Sequence, residues 1–410
     1  MLRKFKNLMA AIMAVLLLTA SVLPGAAEVD EALIYEEEAK IYEPEALAAD
    51  TRAEPAPPQV NAKAFLLMDA GTGQVLMAQN EHEKLFPASV TKIMTLLLVM
   101  EALDSGKLAL NDTVTASANA ASKGGSQIWL KEGERMSVDD LLKAAAVYSA
   151  NDACAALGEH LAGSEEGFNR MLNERAAQLG MTNTHFDNCT GLDDTTDTHL
   201  TTAYDIALMS RELLKHEKIT QYTTIWMDSL RGGQTELVNT NRLVRHFPGT
   251  TGLKTGTTNK AGCCIAASAL REGTHLIAVV LGSSSSDDRF NGAKAMLNWG
   301  FANYSTLRPE IDVSLVTDVT VLRGVEEILH PKLPEIGNIL VRRGREGDIK
   351  QEVQIAVNVE APVERGQVLG KVTFRLDGSV LGEYNLTAPA AVRRLTFMDV
   401  LKRILQALAG

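Results

Sequence analysis

Residues 89–103 form one helix-length run that is apolar almost all round. The run contains neither glycine nor proline, and the consecutive residues Leu96, Leu97 and Leu98 point to different sides of it. A helix without a polar face is stable only when the rest of the chain encloses it. The fold must therefore be built around this helix, and the fold must also accommodate the charge of Lys92 inside the run.

Strands on both sides of this helix predict one sheet packed by a helical cluster, which is an α+β domain. The predicted strands are 64–68, 74–78, 252–257, 262–270 and 275–282. The other predicted helices are 139–148, 152–162, 165–178, 201–215 and 289–304. The first two strands are joined through residues 69–73 as a hairpin. We assign residues 60–305 to this domain.

A second, all-β domain is predicted over residues 306–391. Residues 351–360 alternate apolar and polar side chains, which predicts one half-buried strand with Val353, Ile355, Val357 and Val359 on its inner face. Similar short runs are 313–321, 338–342, 368–376 and 380–387. These runs predict a small domain of short strands.

The last segment, residues 392–410, reads as an amphipathic helix. Its apolar stripe consists of Phe397, Leu401, Ile404, Leu405 and Leu408. Because Arg393 and Arg394 precede it, we expect the helix to lie in a membrane interface. The alternative is that the stripe packs on the β-domain.

The N-terminus has the anatomy of a secretory signal over residues 1–27. Arg3, Lys4 and Lys6 precede an apolar run that ends near Leu23, and small residues lead to predicted cleavage after Ala27. A retained anchor is the alternative, but the run is shorter than the ~20 residues that span a bilayer. We therefore expect an extracytoplasmic protein at the outer face of the cytoplasmic membrane. Residues 28–59 are rich in acidic residues and predict a flexible linker.

The length, net charge and cysteines of the chain further restrict the class of protein. A chain of 410 residues that is 46% hydrophobic and 22% charged is globular and long enough for two domains. Its net charge of −11 argues against nucleic acid as the main partner. The four cysteines lack zinc-ligand spacing, and the neighbours Cys263 and Cys264 would point to opposite faces of a strand.

Ser89 and Lys92 open the buried helix and share one helix face, since they are three positions apart. A serine hydroxyl needs a base beside it to act as a nucleophile. Lysine can be that base if burial and a nearby positive charge lower its pKa. Alone, the pattern is weak, and a surface lysine at a helix N-terminus is the better explanation for it.

Two further motifs change this interpretation. Ser149 and Asn151 lie in a predicted turn between helices, and a predicted strand carries Lys254-Thr255-Gly256-Thr257, where Gly256 permits close approach of another backbone. Helix capping and a strand-end charge are the plain alternatives. In this order, 60 and 105 residues apart, the three motifs resemble those of the penicillin-recognising serine enzymes.

Other segments resemble the low-molecular-mass D-alanyl-D-alanine carboxypeptidases among those enzymes. They are residues 183–186 (Asn-Thr-His-Phe), 191–193 (Gly-Leu-Asp) and 252–256 (Gly-Leu-Lys-Thr-Gly), with the trailing β-domain and tail. The likeness covers roughly residues 60–410. It implies a penicillin-binding and β-lactamase-like transpeptidase domain, and neither metal nor cofactor.

The resemblance implies an acyl-enzyme mechanism. Ser89 would attack the carbonyl between two terminal D-alanines, Lys92 would take its proton, and Ser149 would relay a proton to the leaving amine. The backbone N–H groups of Ser89 and Thr257 would form an oxyanion hole. The implied partners are a peptidoglycan stem peptide, β-lactam antibiotics and a membrane surface.

The resemblance also implies a substrate-binding set that consists of Asn151, Lys254, Thr255, Gly256, Thr257 and Arg289. Asn151 would hold the substrate amide and hydrogen-bond Lys92. Lys254 would keep Lys92 deprotonated and, with Thr255, would receive the terminal carboxylate. Arg289 would bind that carboxylate too, unless it forms a salt bridge with Asp287 or Asp288.

Three other functions compete with this assignment. A class A-like β-lactamase needs a glutamate in a Glu-x-x-x-Asn loop, and Glu165 and Asn169 have that spacing but lie in a predicted helix. A DD-endopeptidase that cuts cross-links would use the same catalytic residues. A non-catalytic wall-binding or antibiotic-sensing protein could dispense with Lys92 and Lys254, yet both are present.

Overall fold

The computed structural model describes residues 56–409. The predicted signal at 1–27 and nearly all of the predicted linker at 28–59 lie outside the described residues. Within the range that is described, no helix is both long enough and apolar enough to cross a bilayer.

The strands before residue 304 form one central sheet and two separate two-stranded sheets. In chain order they are β1 (Ala64–Asp69), β2 (Val75–Gln79), β3 (Thr113–Thr115), β4 (Arg135–Ser137), β5 (Met227–Leu230), β6 (Thr235–Val238), β7 (Thr250–Thr258), β8 (Gly262–Arg271) and β9 (Thr274–Ser283). The central sheet has the order β2-β1-β9-β8-β7 and is antiparallel throughout. Its five strands are those predicted from the sequence, and β7 forms one edge.

Helices cover both faces of this sheet. In chain order they are α1 (Lys92–Asp104), α2 (Ala118–Ala121), α3 (Val138–Lys143), α4 (Asn151–Ala162), α5 (Glu165–Gln178), α6 (Ala203–Leu213), α7 (Ile219–Thr223), α8 (Leu243–His246) and α9 (Ser286–Asn303). The sheet plus helical cluster confirms the predicted α+β class. The predicted helix at 139–148 is divided, because its second half (Ala144–Tyr148) is a π-helix.

Alternation along the strands divides the core between the two faces of the sheet. On one face, Leu66 and Val279 belong to a large cluster with the apolar side chains of α1. On the other face, Phe65 and Val280 pack with Met296 of α9. Helix α1 is thereby enclosed by the sheet and by neighbouring helices, as its all-round apolar sequence requires.

The C-terminal region contains short strands that form several small sheets. They are β10 (Tyr304–Leu307), β11 (Val319–Leu322), β12 (Ile328–Leu329), β13 (Ile339–Arg342), β14 (Lys350–Ile355), β15 (Asn358–Glu360), β16 (Val368–Leu376) and β17 (Ser379–Thr387). The sheet orders are β10-β13, β12-β11-β15 and β14-β16-β17. Each of the latter two covers its own small apolar core.

Two strand predictions in this region are wrong in detail. The run 351–360 is not one strand, because the chain leaves β14 after Ile355 and enters a different sheet at β15. Val357 lies at this crossing, 80% exposed, and its carbonyl accepts from the Thr320 N–H. The run 313–321 begins as a short 3₁₀ turn, and only its end belongs to β11.

The last helix, α10 (Phe397–Ala409), begins later than predicted because Thr396 caps it. The Asp399 N–H donates to Thr396 Oγ1, and the Thr396 N–H donates to the Asp399 carboxylate, which is a reciprocal capping arrangement. On its charged side, Arg403 donates to Glu327 Oε1 at 2.7 Å. The apolar stripe is exposed, so the alternative in which it packs on the β-domain is not observed.

Candidate active site

The site begins at a 3₁₀ turn, Ala88–Thr91, that leads into α1. Lys92 is the first residue of α1 and is fully buried. Its Nζ lies 2.8 Å from Ser89 Oγ and donates to the Thr190 carbonyl at 2.7 Å. The structure thus brings Ser89 and Lys92 into contact, and the Thr190 carbonyl, which no sequence motif singled out, fixes the amine.

Burial lowers the pKa of Lys92 to about 8. Cys154, Cys189 and Asp152 act in the opposite direction but do not outweigh the loss of hydration. An amine with this pKa is neutral in an appreciable fraction of molecules near neutral pH. Burial and the charge of Lys254 were both expected to lower this pKa; burial is the largest cause, and Lys254 is not among the causes in the structure.

Ser149 and Asn151 are presented where the π-helix Ala144–Tyr148 ends. Ser149 has a φ of +68°, a left-handed conformation that is uncommon outside glycine. Asn151 follows as the first residue of α4, and both side chains are buried. The turn therefore connects the two helices through only two residues and leaves Ser149 and Asn151 buried.

The expected hydrogen bond between Asn151 and Lys92 is not formed. Asn151 Nδ2 donates instead to the Gly124 carbonyl at 2.6 Å. Its Oδ1 atom is buried and has no hydrogen-bond partner among the residues that the structure describes. A buried, unpaired acceptor is costly, and a substrate N–H is the kind of group that would satisfy it.

The adjacent Asp152 holds the loop that faces Asn151. Its carboxylate accepts from the Ile128 N–H and the Leu130 N–H at 3.1 and 3.0 Å. In the same loop, a Cβ on Gly125 would lie 2.8 Å from Asn151 Nδ2. The loop therefore packs directly on the Asn151 side chain and restricts its orientation.

Strand β7 supplies Lys254, Thr255, Gly256 and Thr257. Lys254 is fully buried, and its Nζ donates to the Thr255 carbonyl at 3.2 Å. Burial lowers the pKa of Lys254 well below its usual value, and the nearby charge of Lys92 lowers it further. The two amines therefore lie close enough for a charge on Lys92 to disfavour a proton on Lys254.

Gly256 is where β7 meets the turn that carries Ser89. A Cβ at this position would lie 2.8 Å from the Pro87 carbonyl oxygen and 2.8 Å from the Ser89 nitrogen. Only glycine allows this approach. The contact brings the Ser89 backbone N–H beside the part of β7 that carries Thr257.

Thr255 connects β7 to the turn that carries Ser149. Its Oγ1 donates to Thr240 Oγ1 at 2.7 Å, and the Thr240 N–H donates to the Val147 carbonyl at 3.1 Å. Sequence analysis missed Thr240, which lies outside every motif. Its contribution depends on a tertiary contact that no local pattern encodes.

Arg289 does not form the salt bridge with Asp287 or Asp288 that was the alternative to a substrate-binding role. Its Nη1 donates to the Gly256 carbonyl and to Thr257 Oγ1, each at 2.8 Å, and the residue is only 8% exposed. Asp287 pairs with Arg242 instead, at 3.3 Å. Arg289 therefore holds the end of β7 from within the protein.

The residues suggested for a β-lactamase reaction lie in α5. Glu165 is engaged by Lys123 at 2.6 Å and by Asn119 at 2.8 Å. Asn169 Nδ2 donates to the Asp187 carbonyl. Both side chains thus have structural partners, and both residues lie in a helix as predicted.

The cysteines form no disulfide. Cys263 is half-buried and pairs with Thr257 across β7 and β8, while Cys264 is buried. No group of three or more potential metal ligands occurs between residues 56 and 409.

Comparison with known proteins identifies the family. Residues 50–285 match the model described as D-alanyl-D-alanine carboxypeptidase, which covers more than half of the chain. The chain belongs to this family. Residues 314–394 of the carboxypeptidase match a second model, described as the penicillin-binding protein 5 C-terminal domain.

Individual relatives cover most of the enzyme. It is 42% identical to D-alanyl-D-alanine carboxypeptidase DacF of Bacillus subtilis, over 83% of this chain and 88% of the relative. It is 37% identical to the carboxypeptidase DacC of Escherichia coli, over 81% of this chain and 84% of the relative.

Among solved structures, the enzyme is similar to penicillin-binding protein 5 from Haemophilus influenzae. The TM-score is 0.74 at 30% identity, with 83% of this chain and all of the other covered. The match confirms the predicted penicillin-binding fold, with a sheet-and-helix domain followed by a β-domain.

Proposed function

We propose that this protein is a serine-type carboxypeptidase that removes the terminal D-alanine from peptidoglycan pentapeptide stems through an acyl-enzyme on Ser89. The observation that carries the proposal is the 2.8 Å contact between Ser89 Oγ and Lys92 Nζ. The amine in this contact is fully buried and has a lowered pKa. These are the properties that a base needs in order to activate a serine hydroxyl.

In the acylation step, neutral Lys92 takes the hydroxyl proton while Ser89 Oγ bonds to the carbonyl carbon between the two D-alanines. The C–N bond then breaks as the proton held by Lys92 passes through the Ser149 hydroxyl to the departing amine, and D-alanine leaves with Lys92 neutral again. A water molecule next attacks the ester on Ser89. Lys92 takes a proton from this water, the ester C–O bond breaks, and Lys92 returns the proton to Ser89 Oγ as the shortened peptide leaves.

The backbone N–H groups of Ser89 and Thr257 bind the oxyanion that develops in both steps. The proposal is supported by the close approach of the Ser89 nitrogen to β7 at Gly256. Donors fixed before the reaction stabilise charge without reorganisation, which is commonly the largest contribution in acyl transfer. Arg289 contributes indirectly, because it fixes the Gly256 carbonyl and the Thr257 hydroxyl.

The substrate backbone and carboxylate are bound on either side of Ser89. Asn151 holds the substrate amide, and its unpaired Oδ1 supports this role. Lys254 and Thr255 receive the terminal carboxylate. A carboxylate that enters beside Lys254 favours the charged form of that amine, so we expect substrate binding to raise the pKa of Lys254.

We propose that β-lactams acylate the same serine as substrate mimics. The chain has a TM-score of 0.56 and 30% identity to penicillin-binding protein D2 of Listeria monocytogenes in its cefotaxime-bound form. The supporting feature in this chain is the position of Ser89. Its hydroxyl lies beside the base Lys92 and its backbone N–H lies beside β7, as a serine that accepts an acyl group requires.

We further propose that the protein works at the outer face of the cytoplasmic membrane, after export directed by residues 1–27. Helix α10 supports this location, because Phe397 and Leu408 are exposed while Arg403 on its charged side binds the β-domain. A helix held in this way presents its apolar face outwards and suits a lipid interface.

The decisive experiment measures D-alanine released from a synthetic peptide that ends in D-Ala-D-Ala. We expect release by the wild type and none by Ser89→Ala. Absence of release by the wild type, or equal release by Ser89→Ala, would contradict the proposal. A cross-linked peptide dimer offered in parallel measures endopeptidase activity, which would use the same residues.

A further inference from the structure

His199 is a buried histidine that contacts the nucleophile turn although it lies 110 residues away in the sequence. The residue lies in the loop that precedes α6 and is completely buried, and its ring centroid lies 5.6 Å from that of Phe186. Its Nε2 lies 2.8 Å from Thr91 Oγ1, and its Nδ1 lies 3.0 Å from the Asp187 nitrogen. Both ring nitrogens therefore have partners.

The partners determine which nitrogen carries the proton. The Asp187 backbone N–H can only donate, so Nδ1 must accept and carries no hydrogen. The Thr91 hydroxyl donates its single proton to the Ala88 carbonyl at 2.9 Å and must accept from the imidazole. His199 is thus the neutral tautomer with its hydrogen on Nε2.

On the side of the nucleophile, the hydrogen bonds through Thr91 fix Ala88, the residue that precedes Ser89. Ala88 has a φ of +48°, which is unfavourable for a residue with a Cβ and persists only where the surroundings enforce it. The bond from Thr91 to the Ala88 carbonyl is one enforcing contact. Because the peptide that contains this carbonyl also contains the Ser89 N–H, its orientation sets the direction of that N–H.

Through its hydrogen bond with the Asp187 N–H, the same imidazole also fixes the loop that holds the base Lys92. The segment that begins at Asp187 continues to Asn188, whose Oδ1 accepts from the N–H groups of Thr190 and Gly191. Thr190 then presents its carbonyl to Lys92 Nζ at 2.7 Å. His199 therefore lies between the turn that carries Ser89 and the loop that holds Lys92.

We propose that His199 is a positioning residue that keeps the Ser89 peptide and the Thr190 carbonyl in the arrangement required for acylation, by donating to Thr91 while accepting from Asp187. This inference rests on the proposed function. His199 touches neither substrate nor Ser89 itself and acts through Thr91 and Asp187.

The electrostatic surroundings support a permanently neutral ring. Burial lowers the pKa of His199 to about 4, and the charges of His185 and Lys92 act in the same direction. The carboxylate of Asp187 acts in the opposite direction. A proton on Nδ1 would turn this acceptor into a donor facing the Asp187 N–H, so neutrality is required for both bonds.

The first test compares Thr91→Val, His199→Gln and the double variant with the wild type. Valine keeps the shape of Thr91 without its hydroxyl, while Gln at 199 can donate but cannot satisfy both partners. We expect each single variant to lower the rate constant of acylation by a β-lactam about 10- to 100-fold, with unchanged noncovalent affinity. The double variant should lose no more than the worse single variant, because both changes break one chain of bonds.

Thr91→Ser, which retains the hydroxyl, is the matched control and should acylate within a few-fold of the wild type. Rates are compared per molecule that remains folded, as judged by thermal unfolding. Unchanged acylation in Thr91→Val and His199→Gln, or losses that multiply in the double variant, would overturn the proposal. If the wild type forms no adduct on Ser89, the proposed function fails instead.

A second measurement needs no variant. Nitrogen-15 NMR of histidine-labelled wild type should show His199 with a protonated Nε2 and an unprotonated Nδ1 throughout the neutral pH range. The opposite tautomer would overturn the arrangement of bonds from which the proposal follows.

Discussion

The first and last helices of the described chain, α1 and α10, are both thirteen residues long and rich in leucine and methionine, yet their surroundings are opposite. In α1 the apolar side chains are buried, and the charged group of Lys92 is buried with them. In α10 the apolar stripe is exposed, and Arg403 on the charged side contacts the β-domain.

Each helix therefore keeps one kind of group in surroundings that its chemistry disfavours. An ammonium group loses hydration when it is buried, and an apolar side chain orders water when it is exposed. Such local conflicts are tolerated mainly where they serve a function. In α1 the conflict produces a weakly basic amine beside Ser89, and in α10 it produces a surface suited to lipid.

The largest expected effect concerns the buried amine of α1. Lys92→Met keeps the length of the side chain but removes the base, so we expect β-lactam acylation to fall on the order of 10³-fold. The rate is measured with a fluorescent penicillin under single-turnover conditions. Lys402→Met makes the same change on exposed α10 and should leave the rate unchanged. Equal effects of the two variants would remove the distinction between the helices.

The next effect concerns stability. Leu97 is completely buried, so Leu97→Ala should lower the free energy of unfolding by about 2–5 kcal/mol. Leu405 is 57% exposed, so Leu405→Ala should change it by less than about 0.5 kcal/mol. Urea denaturation measures both. A large loss in Leu405→Ala would show that α10 packs on the protein in solution.

Leu405 should matter for membrane binding although it contributes little to the stability of the protein. Leu405→Ala removes apolar surface that would enter the interface, and we expect partitioning onto anionic lipid vesicles to fall about 10-fold. Gln406→Ala, on another side of the same helix, is the control and should have little effect. Cosedimentation with vesicles measures both, and equal partitioning of wild type and Leu405→Ala would argue against an interfacial helix.

An effect similar in size to the last one is expected for the pH dependence of acylation. Lys92 must be neutral to accept the serine proton, so the rate should rise as the pH increases through about 8. Between about pH 7 and pH 9 the neutral fraction of such an amine grows roughly tenfold. A rate that stays constant over this interval would show that a different group limits the proton transfer.

The sequence was most informative where a pattern is local. Helix α1 and strands β7, β8 and β9 followed from apolar periodicity, and the contact between Ser89 and Lys92 followed from helix spacing. Contacts between distant segments were not accessible in this way. The hydrogen bonds of Arg289 to β7 and those of His199 to Thr91 depend on how separate elements pack.

Local backbone geometry could not be predicted from the sequence either. The π-helix before Ser149 lies in the alanine-rich segment Ala144–Tyr148, which reads as ordinary helix. The break at Val357 interrupts a run with valine or isoleucine at every second position, because the chain crosses from one sheet to another there. In both places the tertiary fold overrides a regular sequence pattern.

The most direct test of the central claim is to locate the covalent adduct that a β-lactam forms with the full-length protein. We predict that mass spectrometry of the digested protein will find one adduct, on Ser89, and that Lys92→Met will greatly slow its formation. An adduct on any other residue, or one formed at the wild-type rate without Lys92, would contradict the account.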